Sequence, residues 1–112
     1  MKKIHFYGDS TTVGQTKLPD GTNGISFWNV PDVSTRLLEK RFGTSAFTVS
    51  NKGVCGSRLD QWVNGDATSS MPSLASRLAD ADSPDIIVFE IGLNNATHPA
   101  YNANNFSIYL AS

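Results

Sequence analysis

The residues best suited to covalent chemistry fall in three short segments. In Gly8-Asp9-Ser10-Thr11 a serine sits in a glycine-containing turn directly after the run Lys3 to Tyr7. A hydroxyl at the mouth of a strand, in such a turn, projects where a helix dipole and free amides can assist it, which makes Ser10 the candidate nucleophile. Attack on an ester creates a tetrahedral intermediate with a negative oxygen, and each donor aimed at that oxygen is worth about 3 kcal/mol. Gly53, in Asn51-Lys52-Gly53-Val54-Cys55-Gly56-Ser57, and Asn94, in Gly92-Leu93-Asn94-Asn95, each follow a further strand-like run, so Ser10, Gly53 and Asn94 could supply three donors. Asp9 is adjacent in sequence to the serine and poorly directed at its hydroxyl, so its expected part is support, as a turn-stabilising acceptor. Every one of these positions also has a plain structural reading. Gly-Asp-Ser is a common turn tripeptide, Gly53 suits a turn that needs positive φ, and Asn94 suits a helix cap or an Asx turn.

A serine at its ordinary pKa is a weak nucleophile and needs a positioned base, normally an oriented histidine. The chain has two. His5 precedes Ser10 in the same strand, about 16 Å away at roughly 3.3 Å per residue, and is assigned a structural role. His98 follows Asn94 on the way out of the third strand and is the weaker candidate for the base, with Asn95-Ala96-Thr97 before it and Pro99 after it. Cys55 would be reactive only with a lowered pKa, and filling space as a small residue is its simpler use. Trp28, Trp62, Tyr7 and Tyr101 have faces that can stack on sugar rings, and their spacings suit a core equally well.

The elements that must hold these groups follow from pattern. Lys3 to Tyr7 reads as a buried strand, and the stretch from there to Asn29, with Gly14, Pro19, Gly21 and Gly24, as a long surface loop. Pro31 to Phe42 has Val33, Leu37 and Leu38 at helical spacing, Pro31 in the first turn and Gly43 as the stop. Ala46 to Ser50 is a second strand, and Ser70 to Ala81 a second helix with Ser70 as N-cap and Pro72 in its first turn. The nearly continuous apolar run from Asp85 to Gly92 predicts a strand covered on both faces, hence the central one. Strand, helix, strand, helix, strand predicts a layered α/β fold with parallel strands. Phe106, Tyr109 and Leu110 share one face of a final helix that ends at Ser112, which predicts a truncated chain.

Composition bounds the function. A chain of 112 residues, 39% hydrophobic and 17% charged, suits a single globular domain over 1–112. Its net charge of -1 offers no basic field for nucleic acid or an anionic membrane. Met1-Lys2-Lys3 begins like a signal peptide, but Gly8-Asp9-Ser10 interrupts the apolar stretch, so the expected location is cytoplasmic. One cysteine rules out an internal disulfide and a structural zinc site, and no metal or cofactor is expected.

Taken together, Gly8-Asp9-Ser10-Thr11, Gly53 after a strand, and Gly92-Leu93-Asn94-Asn95 after another resemble the GDSL/SGNH-type serine hydrolases. The resemblance implies a three-layer flavodoxin-like parallel sheet, here incomplete at the C-terminus. It also implies an oxyanion hole made by the backbone amides of Ser10 and Gly53 and the side-chain amide of Asn94. Asn95 stands where the family usually has Asp, a departure expected to loosen the loop's hydrogen bonding, and the family's Asp-x-x-His block has no counterpart. The function implied is hydrolysis of small acyl or O-acetyl esters through an acyl-Ser10 intermediate, with an acetylated carbohydrate among the candidate substrates. A homo-oligomer or a complementing C-terminal chain would supply the missing base. The alternative is a non-catalytic binding or structural module on the esterase scaffold. A phosphoacceptor receiver is disfavoured, since Asp9 alone does not make its acidic pair.

Overall fold

The computed structural model describes residues 1–79 and 82–97. Ten elements follow in order: β1 (Lys2–Gly8), α1 (Ser10–Val13), β2 (Gln15–Lys17), β3 (Asn23–Ile25), α2 (Val30–Phe42), β4 (Phe47–Asn51), α3 (Leu59–Asn64), α4 (Leu74–Leu78), β5 (Ile86–Glu90) and α5 (Leu93–Thr97). The chain divides into two compact units, one of Met1–Cys55 with Pro84–Glu90, the other drawn from Gly56–Ser83 and Ile91–Ser112. No described helix is long and apolar enough to cross a membrane.

The first unit is built on a parallel sheet of order β4-β1-β5. Ile4 pairs with Val49 on one side and with Ile86 on the other, and Phe6 with Asn51 and Val88. Within the described sheet the centre is not the strand expected. β1 is the inner strand, its Ile4, His5, Phe6 and Tyr7 all buried, while β5 pairs on one side only among the described residues, with Ile86, Ile87 and Val88 38–44% exposed. A continuous apolar run records that both faces seek cover; it does not record which strand lies in the middle. α2 packs on β4, and its ends match their signals. Asn29 caps it by accepting from the Asp32 amide at 2.9 Å, Pro31 occupies the first turn, and Gly43 closes it at φ 84°.

The stretch expected as a long loop is instead organised into α1 and a β2–β3 hairpin. Gly14, at φ 86°, ends α1 after one turn by donating to the Ser10 carbonyl at 2.9 Å. Its own carbonyl accepts from Ser26, which ties the hairpin's exit back to α1.

In the second unit, α3 went unpredicted. Arg58 and Gln61 start it with a capping box, the Arg58 amide donating to Gln61 Oε1 at 2.9 Å. Trp62, 1% exposed, anchors it and donates from Nε1 to Ser57 Oγ at 3.0 Å. α4 is shorter than predicted and capped by Ser73, not Ser70. The reason is the turn before it: Asp66 and Met71 exchange backbone hydrogen bonds, Ser70 takes φ 55°, and Pro72 follows in the same turn-to-helix link, so the helix begins only after it.

Candidate active site

β1 delivers its last residues to a tight corner. Gly8 is buried where the Glu90 carbonyl and the Thr12 hydroxyl approach so closely that a Cβ would overlap both. Asp9 follows at 2% exposure and accepts from the Thr11 amide at 2.9 Å, which fixes the start of α1. Ser10 is then the first helical residue, half-buried, at the C-terminal end of the inner strand. Because α1 is a single turn, its dipole is small and the fixed backbone geometry matters more.

The Gly53 loop is seated against this turn. Gly53 does not have positive φ; it is glycine because a Cβ would lie 2.8 Å from Val13 Cγ2, 3.0 Å from Val13 N and 3.1 Å from the Asp9 carbonyl. Asn51, a residue that sequence reasoning passed over, locks the two pieces together. Its Nδ2 donates to the Thr12 carbonyl at 3.0 Å, and its Oδ1 accepts from the Gly53 amide at 3.1 Å. The available signal was an asparagine two residues before a glycine at a strand end, the spacing of an Asx turn. The Gly53 N–H is thus oriented by a side-chain carbonyl that reaches both segments. Val54 donates to the Gly8 carbonyl at 2.8 Å and holds the loop's far side.

Ser10 borders a cavity of about 380 Å3 whose wall includes Thr11, Thr16, Ser26, Trp28 and Val30. Of the four aromatic residues singled out as sugar-stacking candidates, Trp62 and Tyr7 are core at 1% and 3% exposure, Trp28 is 79% exposed at this cavity, and Tyr101 lies outside the described residues. His5 is buried, with Nδ1 2.9 Å from the Tyr7 hydroxyl on the same face of β1. His98 lies outside the described residues, as do Phe106, Tyr109 and Leu110. Cys55 is exposed and free.

Asn94 belongs to the second unit, at the start of α5 just after Gly92 at φ 131°. Its Nδ2 donates to the Ser57 carbonyl at 3.0 Å. Asn95, expected to loosen this region, does the reverse: 7% exposed, it accepts from the Leu59 amide at 2.8 Å and so satisfies the first turn of α3. Its Nδ2 lies 3.5 Å from Asp60 Oδ1, which also pairs with Arg58 Nε at 3.1 Å. An aspartate at this position would face that carboxylate with like charge.

The structure therefore brings Asp9, Ser10 and Gly53 to one corner of the first unit and gives Ser10 a cavity, while Asn94 is held by its own unit's loop. Comparison with curated proteins and with solved structures gives no significant match. Residues 4–111 match the family described as GDSL-like lipase/acylhydrolase.

Proposed function

Because the chain belongs to the GDSL-like lipase/acylhydrolase family, we propose that it cleaves small carboxylic esters with Ser10 as the nucleophile, on a three-layer flavodoxin-like scaffold of which β4-β1-β5 is the described part. The observation that carries this reading is Ser10 itself: a hydroxyl at the end of the inner strand, fixed by a buried Asp9 cap and opening on a cavity. Ser10 Oγ attacks the ester carbonyl carbon as its proton passes to an imidazole. The tetrahedral oxyanion is held by the Ser10 and Gly53 amides, and its collapse expels the alcohol, which takes the proton back. Water then repeats the sequence on the acyl-serine and releases the acid.

In this reading the Gly53 amide shares its hydrogen between Asn51 Oδ1 and the oxyanion, so Asn51 aims the donor. The Asn94 amide, which donates to the Ser57 carbonyl within its own unit, is the third donor that the family resemblance implies. The imidazole comes from His98 or from a chain that completes the site, since His5 is buried beside Tyr7.

A second reading, a binding module without turnover, is favoured by the same two hydrogen bonds, which occupy the Gly53 and Asn94 donors. Hydrolysis of p-nitrophenyl acetate by the chain and by Ser10→Ala separates the two. The esterase reading expects a rate that falls at least a hundredfold in the variant and labelling of Ser10 by a fluorophosphonate. Equal background rates and no labelling would leave the binding module.

A further inference from the structure

Asn51 does more in the Ser10 corner than its place at the end of β4 requires. We propose that Asn51 is a positioning residue for ester hydrolysis and that the reaction depends on its being an uncharged amide. Its side chain spans from the Ser10 turn to the Gly53 N–H, and it sets that donor without placing a negative charge beside the oxyanion. The inference rests on Ser10 as nucleophile and Gly53 as oxyanion donor, and adds how the second is held to the first and why asparagine is the residue that holds it.

One end of the span is α1, a single turn whose last carbonyls find no partner inside the helix. The Gly14 amide serves the Ser10 carbonyl. Asn51 Nδ2 serves two others, donating to the Thr12 carbonyl at 3.0 Å and to the Val13 carbonyl at 3.4 Å. Thr12 is a firm anchor, 2% exposed and packed against Gly8. The other end of the span is the Gly53 amide, 3.1 Å from Asn51 Oδ1. Between the two, the backbone of Asn51 is fixed by the sheet: Asn51 pairs with Phe6, and the Lys52 amide donates to the Phe6 carbonyl at 2.8 Å. All these residues belong to the first compact unit.

The span needs a donor and an acceptor side by side on a short stem. Asparagine has both, ionised aspartate only accepts, and glutamine carries the pair one carbon farther out. Charge separates asparagine from aspartate more sharply than shape does. A carboxylate would grip the Gly53 hydrogen harder than an amide oxygen, since hydrogen bonds to ionised acceptors are the stronger ones. It would also set a full negative charge beside the oxyanion that the same N–H is to stabilise, and turn lone pairs toward the Thr12 carbonyl where the amide now donates. Asn51 is exposed, so shortening it opens no cavity in the core.

The test follows p-nitrophenyl acetate hydrolysis by the parent chain, Ser10→Ala, Asn51→Ala and Asn51→Asp from about pH 8 down to about pH 4, with the fold of each checked by circular dichroism. At the alkaline end kcat should fall about tenfold in Asn51→Ala and about a hundredfold in Asn51→Asp, with KM within about threefold of the parent in both. On acidification the introduced carboxyl takes up a proton, loses its charge and regains a donor, so the ratio of Asn51→Asp to parent kcat should climb at least about fivefold while the Asn51→Ala ratio stays level. Dividing by the parent's rate removes the titration common to both chains. Asn51→Asp is nearly isosteric and carries the test alone if Asn51→Ala does not fold. With a parent whose turnover depends on Ser10, an Asn51→Asp ratio that does not change with pH, or a kcat within about twofold of the parent in the Asn51 variants, overturns this inference and leaves the esterase reading standing. A parent without Ser10-dependent turnover overturns both.

Discussion

Substituting Gly53 by alanine probes the contact on which the site depends. The added methyl would meet Val13 Cγ2 at 2.8 Å, Val13 N at 3.0 Å and the Asp9 carbonyl at 3.1 Å, against about 3.5–4.0 Å for a relaxed carbon contact. The last two atoms are the donor and acceptor of one hydrogen bond, the 3.1 Å Val13-to-Asp9 bond that closes α1. The methyl therefore presses on the turn that presents Ser10. Overpacking of this kind costs about 1–3 kcal/mol, and the alanine returns about 0.5 kcal/mol by stiffening the unfolded chain. Backbone strain adds nothing, because Gly53 does not have positive φ. The net expectation is a destabilisation of about 0.5–2.5 kcal/mol, seen by circular dichroism as a Tm lowered by roughly 2–20 °C. Under the proposed esterase reading activity should suffer more, because the displaced amide is the proposed oxyanion donor: kcat for p-nitrophenyl acetate should fall on the order of a hundredfold with KM little changed. Adding Val13→Ala relieves the Cγ2 contact but neither backbone contact, so it should restore less than half of the lost stability. An alanine variant as stable and as active as the parent would mean that the Gly53 loop does not rest on α1, and the reasoning about the site would fail with it.

Two further outcomes follow from the second unit. Asn95→Ala removes the acceptor of the buried Leu59 amide and should cost about 1–2 kcal/mol in urea unfolding, whereas Asn95→Asp keeps the acceptor but sets a carboxylate against Asp60. The like charge raises the new carboxyl's folded-state pKa, so the Asp variant's penalty should be present at neutral pH and shrink on acidification; a pH-independent penalty would refute the repulsion. The hydrogen bond from Gln61, followed by the Thr68 and Ser69 amides, holds the Asp66 carboxyl below the usual carboxylate range against a smaller opposing effect of burial. A depressed folded-state pKa stabilises above the unfolded value and loses that contribution as pH falls through the folded one, so the Thr68 and Ser69 amide resonances should titrate below the ordinary aspartate range. Gln61→Ala should move that midpoint upward.

The parts of this fold that were legible in the sequence are those decided within a few residues. The α2 helix, predicted over Pro31–Phe42 and found over Val30–Phe42, carries its cap, proline and terminal glycine in one window. β1 and β4 were bounded by glycine and asparagine at their exits. What could not be read depended on distant partners. The apolar run of β5 looked central, yet strand order is a property of pairing, and among the described strands β1 holds the middle. α3 is six residues long and is started by Arg58 and Gln61, a cap in which an arginine replaces the usual small polar residue. At the site, Ser10 and Gly53 were marked by their local turns, but the reason for Gly53 lies in Val13 and Asp9, about forty residues upstream. Asn95 was read as a weakness because the family usually has Asp there, and its Leu59 and Asp60 partners, equally remote in sequence, gave no sign of its real contacts.

The inner position of β1 also has a consequence for how the protein is made. Lys2 meets Phe47 only across an intervening helix, and Ile4 needs Ile86 before its second edge is closed. Joining such remote partners means closing long loops before any pairing energy is gained, the condition under which folding is slow. Until those partners are in place the strand that leads to Ser10 is an unpaired apolar segment, the kind of sequence that chaperones recognise and that aggregates when they fail. The serine proposed to attack an ester therefore follows a strand whose place depends on partners far along the chain.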